Sequence, residues 1–140
     1  MSGERRFVDT NVLVYLFDDD EPRKQTTARE LLADGGGFVL SAQVLGEFFV
    51  TVTRKLARPL PLDRARDAVA SLTKFPVQPI TATLVNAAIE RVERSRLSYW
   101  DALIVETSIA AAADVLLTED LQNGQVFDGV RIDDPFADPN

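Results

Sequence analysis

The sequence predicts an α/β domain in which a parallel sheet is covered by helices on both faces. Short apolar runs of strand length, Phe7-Val8, Phe38 to Leu40 and Val115 to Leu117, recur between segments whose apolar residues are three and four apart. These runs are continuous rather than alternating, as strands buried on both faces require. The 140 residues contain no internal repeat and no linker long enough to divide them, so 1–140 is expected to form a single domain. A chain of this size buries about two-thirds of its unfolded surface, enough for one core.

Taken in order, Arg6 to Val8 is a first strand closed by Asp9. Thr10 precedes Val12, Leu13, Leu16 and Phe17, spaced as a helix face, so the start reads strand, loop, helix. Asp18 to Glu21 with Pro22 breaks that pattern, and Lys24 to Ala33 resumes it until Gly35, Gly36 and Gly37 end it. Phe38, Val39 and Leu40 form a second buried strand. Ser41 is placed to cap the next helix, whose apolar face is Val44, Leu45, Phe48, Phe49 and Val52 and which ends before Pro59 and Pro61. Asp63 is placed to cap a helix through Ala65, Ala68, Val69 and Leu72. Phe75 to Ile80, interrupted by Pro76 and Pro79, fits an edge strand, because proline has no N–H for an inner ladder. Thr81 opens a helix carrying Leu84, Val85, Ala88, Ile89 and Val92, and Ser98 caps an alanine-rich helix through Leu103 to Ala113. Val115 to Leu117 is another buried strand, Gln122-Asn123-Gly124 a turn and Val130 to Ile132 a last strand; the Pro- and Asp-rich end, about 134–140, is expected to fray.

Composition removes most catalytic chemistry. With no His and no Cys, the chain cannot build a Ser-His-Asp triad, a Cys-His dyad, an imidazole base, a zinc site of His or Cys, or thiol redox chemistry. Carboxylates around a hard metal remain. No apolar run approaches the roughly 20 residues of a membrane span, and Met1 to Arg6 lacks a signal-peptide pattern, so a soluble cytoplasmic protein without a membrane partner is expected. A net charge of −7 argues against broad adsorption to nucleic acid, whose phosphates are neutralised by Lys and Arg. Positive charge is local: Arg5-Arg6, Arg23-Lys24, Arg54-Lys55 with Arg58, Arg64 with Arg66, and Arg91, Arg94 and Arg96, each of which also reads as a solvated helix face.

Four acids stand in or just after apolar runs: Asp9, Glu47, Asp101 and Asp120. Ligands of parallel α/β sheets bind beyond the carboxyl ends of the strands, and all four are placed to reach that edge. Each also has a structural reading. Asp9 is a helix cap, with Thr10 and Asn11 as equal candidates. Glu47, between Leu45 and Phe48, lies at the rim of an apolar face or is buried with a partner. Asp101 completes the capping box Ser98-Tyr99-Trp100-Asp101, and Asp120 is a turn residue. Bringing such carboxylates within ~4 Å costs about 4 kcal/mol per pair at an effective dielectric near 20. A cation offsets that cost, and an all-oxygen donor set points to Mg²⁺ or Mn²⁺.

Phe7-Val8-Asp9-Thr10-Asn11-Val12-Leu13, Glu47 in its apolar helix, Tyr99-Trp100-Asp101-Ala102-Leu103-Ile104 and Leu117-Thr118-Glu119-Asp120-Leu121-Gln122-Asn123-Gly124-Gln125 follow one another with a definite order and spacing. In these segments the chain resembles PIN-domain ribonucleases, most closely the VapC-type toxins of bacterial toxin–antitoxin pairs. The resemblance implies a three-layer α/β/α sandwich around a central parallel sheet of about five strands, and an Mg²⁺- or Mn²⁺-dependent endoribonuclease. Asp9, Glu47 and Asp101 then match the core acidic ligands and Asp120 the fourth acid, with Thr10, Asn11 and Thr118 orienting ligands or water. Where some members carry a further acid, this chain has Asn123; Glu119 is expected to face solvent. The resemblance further implies hydrolysis by metal-activated water, a 5′ phosphate on the downstream product, a cognate VapB-like antitoxin and a homodimer. RNA contact is assigned to Arg54, Lys55 and Arg58.

Other readings fit less well. A phosphate-receiver domain needs paired acids after the first strand and a late lysine, whereas Asp9 stands alone and the last lysine is Lys74. A haloacid-dehalogenase-type phosphatase needs an Asp where Asn11 stands. A structure-specific DNA nuclease usually carries more acids and basic elements. A non-catalytic PIN-like module that binds protein or RNA is the alternative, because fold does not guarantee function.

Overall fold

The protein is described here by a computed structural model covering residues 3–138. In chain order the elements are β1 (Arg6–Val8), α1 (Thr10–Tyr15), α2 (Pro22–Ala33), β2 (Phe38–Ser41), α3 (Ala42–Arg54), α4 (Leu62–Leu72), β3 (Val77–Gln78), α5 (Ala82–Arg94), α6 (Tyr99–Ala110), β4 (Val115–Leu117), β5 (Val126–Phe127) and β6 (Val130–Asp133). One six-stranded sheet runs in the order β3-β2-β1-β4-β6-β5. Neighbours are parallel except β5 and β6, which form an antiparallel hairpin. The expected three-layer sandwich around a central parallel sheet of about five strands is present as a mostly parallel sheet of six, flanked by helices. The extra strand follows from Asp128-Gly129, whose φ values of 48° and 90° suit a two-residue hairpin turn that matches the right-handed strand twist.

The topology decides where a ligand can sit. From the central β1 the chain builds outward through β2 to β3, then crosses to the other side for β4. The carboxyl ends of β1 and β4 thus flank the point where strand order reverses, the usual crevice of such sheets. Register puts Val8 opposite Leu117, so the next residues, Asp9 and Thr118, emerge side by side. The Asp9 amide donates to the Leu117 carbonyl at 3.0 Å.

The central strands are apolar throughout because both faces are covered: Phe7, Val8, Val39, Leu40, Leu116 and Leu117 are each at most 2 % exposed. Phe48 and Val52 of α3, also in this core, are fully buried. α6 is buried nearly all round, with Ile104 and Val105 in the main core and Ala102 and Leu103 packed with Leu84 and Ala88 of α5. Among the described residues no helix is long and apolar enough to cross a membrane.

Side-chain caps set most helix starts. Ser41, Thr81 and Ser98 accept from the amides of Val44, Leu84 and Asp101. Asp63 does not cap: α4 starts at Leu62 with Pro61 in the cap position, two residues earlier, and Asp63 accepts the Arg64 amide inside the first turn. α2 begins at Pro22, ahead of the expected Lys24, because the fixed φ of proline suits the first helical position. α6 stops at Ala110, short of Ala113, because Ala112 turns left-handed at φ 57°. The Ala113 and Ala112 amides then close on Ser108 and Ile109 in a Schellman arrangement.

Residues 134–138, expected to fray, are tethered. The Asp134 amide donates to Asn123 at 2.9 Å, and Phe136 packs edge-on against Tyr15 with ring centroids 4.9 Å apart. Residues 139 and 140 lie outside the described part of the chain.

Gly37 joins α2 to β2 at φ +68°, and a Cβ there would meet the Glu4 carbonyl oxygen at 2.2 Å. The clash is with backbone that cannot swing aside. Gly37→Ala is expected to lower stability by roughly 2–4 kcal/mol, combining the left-handed penalty with displacement of the strand start. A urea midpoint equal to that of the parent would contradict it.

Candidate active site

A cleft of about 760 Å³ opens at the carboxyl edge of the sheet, and Asp9, Glu47, Asp101 and Asp120 all line it. Each acid arrives from a different element. Asp9 follows β1 as the cap of α1, and Glu47 projects from the middle of α3. Asp101 lies in the first turn of α6, and Asp120 follows β4. Thr10 and Asn11 line the same cleft, together with Gln43 and Lys55.

Asp9 sits deepest, 5 % exposed. One carboxylate oxygen accepts the Thr10 amide at 2.7 Å, capping α1. The other accepts the Thr118 hydroxyl at 2.8 Å and the Asn11 amide at 3.5 Å. Cap and cleft residue are thus one side chain. Burial pushes its pKa up to about 7; the bonds from Thr118 and Thr10 pull the other way, while the charges of Asp120 and Glu47 add to the rise.

Glu47 is half-buried and held by the Thr10 hydroxyl at 2.9 Å and by Gln43, one helical turn earlier, at 3.3 Å. Asn11 bridges β1 and β4: its amide donates to Thr118 and Asp120, both at 3.1 Å, and its carbonyl accepts the Glu119 amide at 3.3 Å. Partial loss of hydration raises the Asp120 pKa; the bond from Asn11 opposes this, and the nearby charges of Asp101, Glu119 and Asp134 add to it. Asp101 is half-buried, and the capping box is only half made. Ser98 accepts its amide at 3.2 Å, while its carboxylate is left to face the cleft.

Whether these groups suit a metal is a question of donors and spacing. Every available donor is a hard oxygen, as Mg²⁺ and Mn²⁺ prefer. Gln43 Oε1 is buried at the cleft with no hydrogen-bond partner among the described residues, a further oxygen awaiting a ligand or water. Among the described residues no three acids already form a closed metal-binding group. Mg²⁺ does not require one, since it keeps several waters and commonly takes one or two carboxylates plus substrate phosphate. The donor chemistry fits such an ion at an open site.

Other expectations divide. Glu119 does not face solvent: it accepts from the Tyr15 hydroxyl at 2.6 Å and from Lys24 at 2.9 Å, and it does not line the cleft. Its two partners already hold it against α1 and α2, which leaves its carboxylate committed outside the acid cluster. Asn123 is also structural, accepting the Asp134 amide. Of the basic trio, Lys55 lines the cleft; Arg54 does not, and Arg58 turns to Asp20 at 2.8 Å beside a second, smaller pocket.

Sequence reasoning did not single out Tyr15, Asp18, Gln43 and Trp100, which also line the cleft. Gln43 was within reach, because it stands four residues before Glu47 and so shares its helix face. Trp100 is adjacent to Asp101, yet its 60 % exposure is visible only in the folded chain.

The family model described as PIN domain matches residues 6–126. No curated protein matches the chain. Among solved structures it is similar to VapC20 of Mycobacterium tuberculosis, described as a sarcin-ricin loop cleaving toxin. Identity is 25%, with 79% of this chain and 86% of that one covered and a TM-score of 0.64. A toxin–antitoxin complex from Klebsiella pneumoniae matches at 20% identity over 94% of this chain and 98% of that one, with a TM-score of 0.69. VapBC2 from Rickettsia felis, solved with a DNA fragment from its promoter, matches at 20% identity over 91% and 96%, with a TM-score of 0.62. These last two establish likeness of fold.

Proposed function

We propose that this chain, which belongs to the PIN-domain family, is a divalent-cation-dependent endoribonuclease and the toxin of a toxin–antitoxin pair. One observation carries the reading: four carboxylates from four separate elements line a single cleft at the point where strand order reverses. A stable fold has no need to place like charges there, and the hydroxyl and amide groups around them orient the carboxylates without neutralising them.

Asp9, Glu47, Asp101 and Asp120 would hold Mg²⁺ or Mn²⁺. When bound, such an ion supplies Lewis-acid stabilisation of charge on a phosphoryl oxygen and lowers the pKa of water. The rest falls to the chain. Thr118 and the Thr10 amide hold the Asp9 carboxylate in one orientation, the Thr10 hydroxyl aims Glu47, and Asn11 ties Asp120 to the end of β1. The water-attack route that the resemblance implies uses neither an imidazole, which this chain lacks, nor the RNA 2′-hydroxyl; it would expel the 3′ oxygen and leave a 5′ phosphate on the downstream product.

The partner assignment rests on the solved relatives, two of which are complexes of toxin with antitoxin. A net charge of −7 suits a basic antitoxin segment approaching the acidic cleft. A homodimer and a cytoplasmic setting are part of the same proposal, as what the resemblance to VapC-type toxins implies.

The test is cleavage of a mixed structured RNA pool by protein freed of any bound partner. Cuts are expected with Mg²⁺ or Mn²⁺, bearing 5′ phosphates, and absent with EDTA or in Asp101→Asn. Cation-loaded protein that leaves a broad pool intact would instead make this a non-catalytic binding module.

A further inference from the structure

The cleft presents a chemical problem that its acids cannot solve. RNA is a polyanion, the chain carries a net charge of −7, and the floor of the cleft is carboxylate. Among the cleft-lining residues the only cation is Lys55. Beyond the divalent cation and Lys55, affinity for RNA in the cleft must therefore come from uncharged contacts, among which stacking of an unpaired base on an aromatic ring is a strong one.

Trp100 meets that need. It is the sole tryptophan of the chain, 60 % exposed, and lines the cleft immediately beside Asp101. Its exposed indole offers a broad π-face to the cleft within one residue of a candidate metal ligand. Its position is braced: Tyr99 meets the indole edge-on, centroids 4.9 Å apart at 73°, and Tyr99 itself packs against the α5–α6 apolar cluster. The first turn of α6, begun by the Ser98 cap, carries both the indole and the Asp101 carboxylate. Across the cleft, Val50, 44 % exposed, adds an apolar wall.

We propose that Trp100 is a substrate-binding platform on which an unpaired base next to the scissile phosphate stacks, with Lys55 taking a neighbouring backbone phosphate. This rests on the ribonuclease reading and narrows it. The platform accepts only a base that is unpaired at the cut, since a base held in a duplex has no free face to offer.

A lone tryptophan makes the test direct. In the Asp9→Asn background, chosen because its cleavage is expected to be about 10³-fold slower, an unlabelled single-stranded RNA pool is expected to change the Trp100 fluorescence saturably, and a fully paired duplex of equal length is not. Labelled-RNA anisotropy should show affinity falling about tenfold in Trp100→Ala and within about threefold of the parent in Trp100→Phe, as stacking on a smaller ring requires. Binding by anisotropy with no change in fluorescence, or equal affinity of the Ala and Phe variants, overturns the platform while leaving the nuclease reading intact. A protein that neither binds nor cuts RNA overturns both. Loss of a dimer in Trp100→Ala at unchanged RNA affinity assigns the indole to a subunit contact instead.

Discussion

Asp9→Asn is expected to lower cleavage by roughly 10³-fold, the equivalent of about 4 kcal/mol of transition-state stabilisation, while making the metal-free protein more stable at neutral pH and above. The two effects share a cause. Asp9 is 5 % exposed and its pKa is raised by burial from 3.8 to about 7. Between those values the folded state keeps a proton that the unfolded chain releases. Stability therefore falls as pH rises from about 4 to about 7, by an amount on the order of 4 kcal/mol once both states are ionised. Asparagine has the same shape, still accepts the Thr10 amide as a cap, and carries no charge to desolvate.

Urea midpoints of parent and variant, measured without metal, should coincide near pH 4 and diverge up to pH 8 in favour of the variant. Added Mg²⁺ should then stabilise the parent and leave the variant nearly unchanged. Parallel pH profiles for the two proteins would mean that Asp9 is not the desolvated acid that the cleft geometry makes it.

The second large effect is expected away from the cleft, at Arg91. This guanidinium is 7 % exposed, donates through Nε to Glu106 of α6 and through Nη2 to Asp128 of the β5–β6 turn at 2.7 Å, and lies over the Phe127 ring. It joins three elements, one of which carries Trp100 and Asp101. Its pKa is raised because these carboxylate partners together outweigh its burial, itself the largest single influence. Arg91→Met removes the cation and leaves Glu106, itself largely shielded, without a partner. The cost is expected at about 3–5 kcal/mol, because an uncompensated buried charge is worse than no charge at all. Asp128 contributes little of this, being exposed. Replacing Glu106 by Leu in the same chain should recover most of the loss. A double variant as unstable as Arg91→Met alone would show that packing of the arginine stem, not the ion pair, is what matters.

Much of the fold was legible in the chain because its signals are local. Phe7-Val8, Phe38 to Leu40 and Val115 to Leu117 became central strands, and Ser41, Thr81 and Ser98 cap the helices they precede. Where local signals competed, backbone geometry decided. Pro61 took the cap from Asp63, and Ala112 adopted the left-handed turn usually left to glycine. The hairpin was signalled by Asp128-Gly129 and passed over, since Val126-Phe127 is too short a run to read as a strand without its partner.

The site was legible to a lesser depth. Asp9, Glu47, Asp101 and Asp120 stood out because a carboxylate in or beside an apolar run is anomalous whatever surrounds it, and the absence of His and Cys left oxygen chemistry as the remaining choice. Glu119 and Asp120 are adjacent and chemically similar, yet one is drawn to Lys24 and Tyr15 while the other lines the cleft. In the sequence only the resemblance separates them, and the contacts each makes are set by the fold. Arg54, Lys55 and Arg58 likewise read as one basic cluster, and folding sends only Lys55 to the cleft.

By itself the sequence determined the element types, the buried strands and the kind of chemistry available, because helix caps, apolar runs and donor inventory depend on neighbours a few residues apart. Only the tertiary structure decided which acids meet, that Trp100 stands uncovered beside Asp101, and that Arg91 joins α5, α6 and the hairpin. Those facts depend on side chains far apart in the chain, such as Asn11 and Asp120, coming within 3.1 Å of each other. That proximity is set by strand order and register, which arise from the burial of the whole sheet rather than from any one segment.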